Sequence, residues 1–325
     1  MTARTPVPHR VATTLLTLVA PLVLLGIAVA VAVSWADDLP DPVAVHWGTH
    51  GPDGFGSLAA AIVPMLVTGA LLACGAWALA FYAGWSSSTR RIAAGSSLGM
   101  AFFLSALMLG SLHAQRGLTD ATNAPDVSTP LLVGALGGIA VGALAAWLTP
   151  ADEDQPATVP VDASAPRIEL GASERAVWRR SVFSRSTIVV GIGAVLVILV
   201  LTVVTRVWPL ALLAVLIAAL LGTMASFDAT VDERGLVARS TLGWPAVRVP
   251  LDEVVGARVT SVRPLKDFGG WGYRLGRGGR TGIVLRTGEA LEVERTGGRV
   301  VVVTVDDAQT GAALLNTLAD RARQA

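Results

Sequence analysis

Two stretches of this sequence hold side chains able to do chemistry. The first runs from Asp41 through Val43, Val45, His46, Trp47, His50 and Asp53 to Gly56. Two histidines and two carboxylates are the ligand types that hold zinc or a similar ion. His46 and His50 share a face only on a helix, and the Gly and Pro around them oppose a helix. Pro40 and Pro42 stiffen an extended lead-in, Val43 and Val45 alternate as in a short strand, and Gly51, Gly54 and Gly56 supply turns. Asp41, His46, Trp47, His50 and Asp53 therefore read as a ligand or partner loop rather than a metal site. The plainer alternative has His46 and Trp47 packing the loop onto a membrane surface.

The second stretch is basic. Arg263, Lys266, Trp271, Tyr273, Arg274, Arg277 and Arg280 interleave with Gly269, Gly270, Gly272, Gly276, Gly278 and Gly279. Such a loop suits lipid headgroups or a partner, each cation contributing about 1 kcal/mol near an anionic surface. A solvated hairpin whose aromatics pad the fold is the bland reading. The Gly-Lys-Ser/Thr of a phosphate-binding loop is absent. Nucleic acid fits poorly with a net charge of +1 and a membrane tether. No metalloprotease helix pair, nucleophile elbow or paired carboxylates appear, so the expectation is no catalytic residue, no cofactor, no metal and no enzyme.

The elements that position these loops follow from the charge map. Of 325 residues, 53% are hydrophobic and 15% charged, against about 25% charged in a soluble domain; mean hydropathy is +0.60. Uncharged runs cover 11–35, 58–82, 92–112 and 130–148, each near the ~20 residues that cross a bilayer. The first exceeds the ~7–15 apolar residues of a signal peptide, so it reads as a retained helix. A fifth block, 186–227, carries one charge, Arg206. As one helix it would measure about 63 Å, twice the hydrocarbon core. Two helices joined at Arg206-Val207-Trp208-Pro209 avoid placing Arg at mid-bilayer, which costs roughly 2.5–3.5 kcal/mol. The expected fold is thus a polytopic α-helical membrane protein with six transmembrane helices.

Arg4 and Arg10, Arg90 and Arg91, and the arginines of 150–185 alternate with Lys/Arg-poor loops. Positive-inside bias then places both termini in the cytoplasm of a multi-pass inner-membrane protein. The Arg-rich, Lys-poor composition fits a GC-rich bacterial gene. Trp35, Trp85, Trp147 and Trp208 fall near run ends, as an aromatic belt would have them. Gly95 with Gly99, and Gly134 with Gly138 and Gly142, repeat every four residues and suit close helix packing, within one chain or in a homo-oligomer. The lone cysteine, Cys74, permits no intramolecular disulfide. No charge lies at the centre of a span, which argues against an ion-coupled transporter.

The domains expected are a four-helix membrane region, 1–150, with an extracytoplasmic loop at 36–56; a linker, 151–185; a transmembrane hairpin, 186–227; and a cytoplasmic β domain, 228–325. The linker is Asp-, Pro- and Ala-rich, hence flexible over 151–166. Its second part, 171–185, reads as an interfacial helix or as a plain lead-in to the fifth span. Beyond 228 the period becomes two. Eight short strands alternate with turns such as Asp232-Glu233-Arg234-Gly235, and a final amphipathic helix starts near Asp306 with Leu314, Leu315 and Leu318 on its apolar stripe. A small antiparallel barrel capped by that helix is predicted.

Two resemblances attach to these motifs. Leu39-Pro40, then Val43-x-Val45-His46-Trp47, then Gly51-Pro52-Asp53-Gly54-Phe55-Gly56, just after a first transmembrane helix, resembles an N-terminal module of unknown function that fronts the SdpI-type toxin-immunity proteins. It covers about 15–65 and implies an outward recognition loop. The second SdpI-type module, with its Gly-Ile/Leu-Arg-Thr-Pro-like signature, is absent. Val249-Pro250-Leu251-Asp252-Glu253-Val254, and Gly298-Arg299-Val300 through Asp306-Asp307 leading into a helix, resemble the bacterial pleckstrin-homology-like domains. That resemblance implies a scaffold for protein or lipid contacts. The function expected is a non-enzymatic sensor or scaffold, with an immunity or signalling protein as the first alternative and a transporter as the second. Its partners would be the bilayer and another membrane protein or an extracytoplasmic peptide.

Overall fold

The structure is a computed structural model and describes residues 7–48, 50–153, 155–171, 174–276 and 280–324. The chain divides into two units, one holding Val7–Asp152 and Leu201–Pro209, the other Glu153–Val200 and Leu210–Ala325.

The first unit is a helical bundle of α1 (Arg10–Ser34), α2 (Leu58–Ala83), α3 (Ser87–His113) and α4 (Ser128–Leu148). Pro21 has no N–H to offer the Thr17 carbonyl, and α1 widens into a π turn over Leu15–Val19. Ser97 Oγ of α3 donates to that freed carbonyl at 2.8 Å. The glycine stripes of α3 and α4 face each other. A Cβ on Gly99 would meet the Gly138 carbonyl oxygen at 2.6 Å, and one on Gly142 the Gly95 carbonyl oxygen at 2.6 Å. The two backbones are therefore in direct contact, and Gly134 lies against Phe103. At the other end of α3, Arg90 is fully buried. Its guanidinium donates to the carbonyls of Gly84 (2.8 Å) and Pro150 (3.1 Å) and pairs with Asp152, tying together the ends of α2, α3 and α4.

Among the described residues, five helices are long and apolar enough to cross a membrane: α1 to α4 and the Thr187–Thr205 part of α5 (Arg185–Thr205). The sixth expected span, α6 (Pro209–Ala225), has 17 residues, about 26 Å. It is apolar but short.

The second unit carries two sheets. Strands β3 (Trp178–Phe183), β4 (Ser226–Asp232), β5 (Gly235–Ser240) and β6 (Ala246–Val249) form an antiparallel sheet in chain order. Strands β7 (Val254–Val262), β8 (Gly272–Gly276), β9 (Arg280–Val284), β10 (Gly288–Arg295) and β11 (Arg299–Thr304) form the other, ordered β7-β10-β11-β9-β8. Its β11–β9 pairing is parallel. The strands expected from the alternation are all present, but as two separate ladders rather than one antiparallel barrel. Pro250 ends β6, and a single helical turn over Leu251–Glu253 redirects the chain into the other sheet. Helix α8 (Ala308–Gln324) lays Leu314, Leu315 and Leu318 into a core shared with Phe227, Leu236, Leu291 and Val303. It starts at Ala308, just after Asp307, which accepts from Thr310 Oγ1 at 2.5 Å.

Two linker expectations need correction. The stretch read as an interfacial helix contains β3, whose Trp178–Phe183 edge pairs with Val231–Ser226 of β4. The stretch read as a flexible linker is strapped onto α8. The Val161 N–H donates to Asp320 at 3.2 Å, Asn316 Nδ2 donates to the Pro166 carbonyl at 3.0 Å, and Val161 is buried in the core; just beyond the stretch, Arg167 pairs with Asp320 at 2.9 Å.

Strand β3 is also held by charge. Ser181 Oγ donates to Asp228 at 2.5 Å and Arg179 at 3.0 Å, and these contacts, the Ser181 bond first, keep the Asp228 carboxyl below its ordinary 3.8. A lowered folded value stabilises above the ordinary pKa, and that contribution is lost as pH falls through the folded one. In the detergent-solubilised chain, exchange of the β3 amides, corrected for intrinsic rate, is expected to rise as pH drops below 3.8. Asp228→Asn should remove that pH dependence.

Candidate functional site

The expected outward loop folds as a β-hairpin. β1 (Val43–Gly48) pairs antiparallel with β2 (Gly51–Gly56), His46 opposite Gly54 and Trp47 opposite Pro52. Part of the hairpin is clasped by the bundle. Gln115, fully buried, accepts from the Ala44 N–H at 2.7 Å and donates back to the Ala44 carbonyl at 3.1 Å. Trp47 Nε1 donates to the Pro125 carbonyl at 3.0 Å. Val43 packs with Ala28, Ala32, Ile62, Met108 and Leu112. Arg116 pairs with Asp38 at 2.6 Å while its guanidinium lies 5.0 Å from the Trp35 ring. The supporting turns are charged. Asp120, held low mainly by the Thr122 N–H, and Asp126, held low by its Ser128 hydrogen bonds, each accept a backbone N–H two residues on.

Elsewhere the hairpin is open, with Val45, His46, Asp53 and Phe55 exposed. His46 Nδ1 and Asp53 Oδ1 are 2.5 Å apart, with side-chain exposures of 71% and 55%. The carboxylate engages Nδ1 of an exposed imidazole, while solvent screening keeps the pair's stability contribution small. Asp41 is exposed and precedes the hairpin, and His50 lies in its turn. Among the described residues no group of three or more His, Cys, Asp or Glu is arranged to hold a metal. Thr49 lies outside the described residues.

Glycine makes this geometry possible. A Cβ on Gly54 would lie 2.8 Å from His46 Cβ, and one on Gly48 would collide with Asp53. Gly54→Ala is expected to weaken the hairpin by about 1–3 kcal/mol, raising β1 amide exchange roughly 5- to 150-fold at constant exchange regime. Gly26→Ala, where nothing lies within 4 Å of the added carbon, should leave that exchange unchanged.

The basic stretch is divided. Arg263, Lys266, Trp271 and Arg274 are exposed around the short helix α7 (Pro264–Phe268). The Arg263 N–H donates to Asp267 at 2.7 Å, and Arg274 Nε donates to the Trp271 carbonyl at 2.7 Å. Tyr273 is half-buried against the main core. Arg280 is committed inward: it pairs with Glu292 at 2.9 Å and lies 5.3 Å from the Phe268 ring. Lys266, Phe268 and Arg280 line one open cavity of about 600 Å³. Arg277 lies outside the described residues. Two exposed residues near this face, Leu242 and Trp244, escaped the sequence reading. An apolar Leu242-Gly243-Trp244-Pro245 turn between two strands was the signal.

The apolar helices fit a membrane protein, and a β-rich unit follows them. Residues 22–68 match a family model described as Domain of unknown function (DUF1648), which takes in the second half of α1, the hairpin and the start of α2. Compared with curated proteins and with solved structures, the chain matches none.

Proposed function

We propose that this chain is a non-enzymatic sensor or scaffold of the bacterial cytoplasmic membrane, coupling an outward hairpin to a cytoplasmic β unit. The observation that supports this reading is that the hairpin is anchored yet partly exposed. Gln115, Trp47 and Val43 hold it to the bundle, so the exposed Val45, His46, Asp53 and Phe55 are presented already ordered. Pre-ordering lowers the entropic cost of binding a peptide or a neighbouring membrane protein.

Supporting features extend the reading to six crossings. In α5 and α6, Gly191 abuts Leu221, as expected of a closely packed transmembrane hairpin. The ~4 Å by which α6 falls short of a ~30 Å core is within what local bilayer thinning accommodates. Trp147 and Trp208 are strongly exposed at helix ends, where a lipid interface favours them. Lys/Arg bias favours cytoplasmic termini. A C-terminal helix packed on two small sheets is the support for a pleckstrin-homology-like domain.

In a null strain with an envelope or transcriptional phenotype, the full chain should complement. His46→Ala/Asp53→Ala and a truncation to 1–226 should both insert but fail. Complementation by 1–226 alone would overturn the coupling. The resemblance of the Leu39–Gly56 motif to the module that fronts SdpI-type proteins supports a second reading, an immunity protein, for which 1–226 would still protect against a peptide toxin.

A further inference from the structure

The two turns at opposite ends of β4 and β5 differ sharply. β4 leaves α6 directly, Ser226 following Ala225, and runs about 20 Å to the turn at Asp232-Glu233-Arg234-Gly235. That far turn is polar, with Glu233 paired to Arg175. β5 then returns to the helix end and opens into Thr241-Leu242-Gly243-Trp244-Pro245. There Leu242 and Trp244 are 68% and 67% exposed. Turns ordinarily carry polar residues, and nothing in the β core covers these two.

The near turn is held against α6. The Thr241 N–H donates to the Ser226 carbonyl at 3.2 Å, and the two hydroxyls are 2.7 Å apart. Ser240 Oγ accepts the Leu242 N–H at 3.2 Å, and the Ser240 N–H donates to the Pro245 carbonyl at 2.9 Å. As a result Leu242 reaches back along the helix. A Cβ on Gly222 would lie 3.8 Å from Leu242 Cδ1. Gly222 is three residues inside α6, about 4.5 Å from its end. A Cβ on Gly272, which opens β8 in the other sheet, would lie 3.7 Å from Met224 Sδ, so the exposed Trp271 just before it, with its hydrogen-bonded neighbour Arg274, lies near the same end of α6. Phe183, paired with Ser226 and exposed, and Arg185, opening α5, complete the rim.

We infer that the β5–β6 turn is a lipid anchor: Leu242 and Trp244 insert into the interface of the bilayer that α6 enters. Trp271 and Arg274 flank them at headgroup level. This inference rests on the proposed crossing by α5 and α6. If α6 is in lipid to its last turn, a side chain alongside Gly222 is at the acyl boundary. Leu and Trp are the residues that boundary accepts, with Trp at headgroup depth. The charged turn 20 Å away along the strands is then in water, so the sheet has a lipid end and a solvent end.

The test uses the full chain in a Cys74→Ser background, reconstituted in phosphatidylcholine–phosphatidylglycerol vesicles with and without doxyl-labelled lipid. An environment-sensitive fluorophore is attached after Leu242→Cys, Trp244→Cys, Leu213→Cys in α6, or Arg234→Cys in the far turn. Quenching at 242 and 244 comparable with that at 213, and none at 234, is the expected result. Quenching at 213 without quenching at 242 or 244 overturns the anchor and leaves the crossing intact. No quenching at 213 overturns both. Carrying the label at 242 and 244 separately leaves the other apolar side chain in place each time.

Discussion

Gly99→Leu is expected to disrupt the helical bundle, because the added carbon has nowhere to go. Its Cβ would lie 2.6 Å from the Gly138 carbonyl oxygen and 3.3 Å from Gly142 Cα. Both neighbours are backbone, so no side chain can rotate away, and α3 and α4 must separate. Overpacking costs about 1–3 kcal/mol where side chains can yield. Here the loss should reach or exceed the top of that range, since separation also forfeits the close contact along Gly95 and Gly142. The measurement is the aggregation midpoint of the detergent-solubilised chain by size exclusion after heating. Gly75→Leu, with nothing within 4 Å of its Cβ, should behave as the parent. A homo-oligomer interface on the same stripe predicts a different outcome: Gly99→Leu would yield a smaller, equally heat-stable species.

The second large effect concerns Glu253. Its side chain is 3% exposed and accepts from Arg295 and Arg299, themselves 13% and 7% exposed. Removing the acid leaves two guanidiniums facing each other out of water. Breaking a buried pair this way typically costs about 3–5 kcal/mol, a large share of a domain's 5–15 kcal/mol. Glu253→Ala should therefore expose the β7 and β10 amides to exchange by orders of magnitude. Glu233→Ala, which breaks the solvent-exposed pair with Arg175, should cost no more than about 1 kcal/mol. Equal effects for the two variants would mean that Glu253 has little electrostatic role in this fold.

Legibility followed locality. Spans and strands were readable because uncharged runs and period-two alternation are properties of a few adjacent residues. β3 was not. Trp178 and Val182 are its buried positions, but Arg180 between them interrupts the alternation by pairing with Asp307, 127 residues on. Its partner strand also lies beyond two apolar helices. The strap over 155–171 was hidden for the same reason: Arg167, Pro166 and Ile168 meet Asp320, Asn316 and Thr317 some 150 residues later. Within the candidate loop, the Val-x-Val-His-Trp strand and the glycine turns were visible. The clasp by Gln115 on the Ala44 backbone was not, since an isolated glutamine after a helix carries no periodic signal. The barrel reading failed on strand order, because nothing in β9 and β11 announces that they run parallel.

Sidedness of the two loops is the most direct test of the account. In Cys74→Ser spheroplasts, a membrane-impermeant maleimide should modify Asp53→Cys on the hairpin in intact cells. It should modify Arg234→Cys on the far turn of the β unit only after lysis. Labelling of position 234 in intact spheroplasts, or protection of position 53 until lysis, would contradict an outward hairpin coupled to a cytoplasmic β unit.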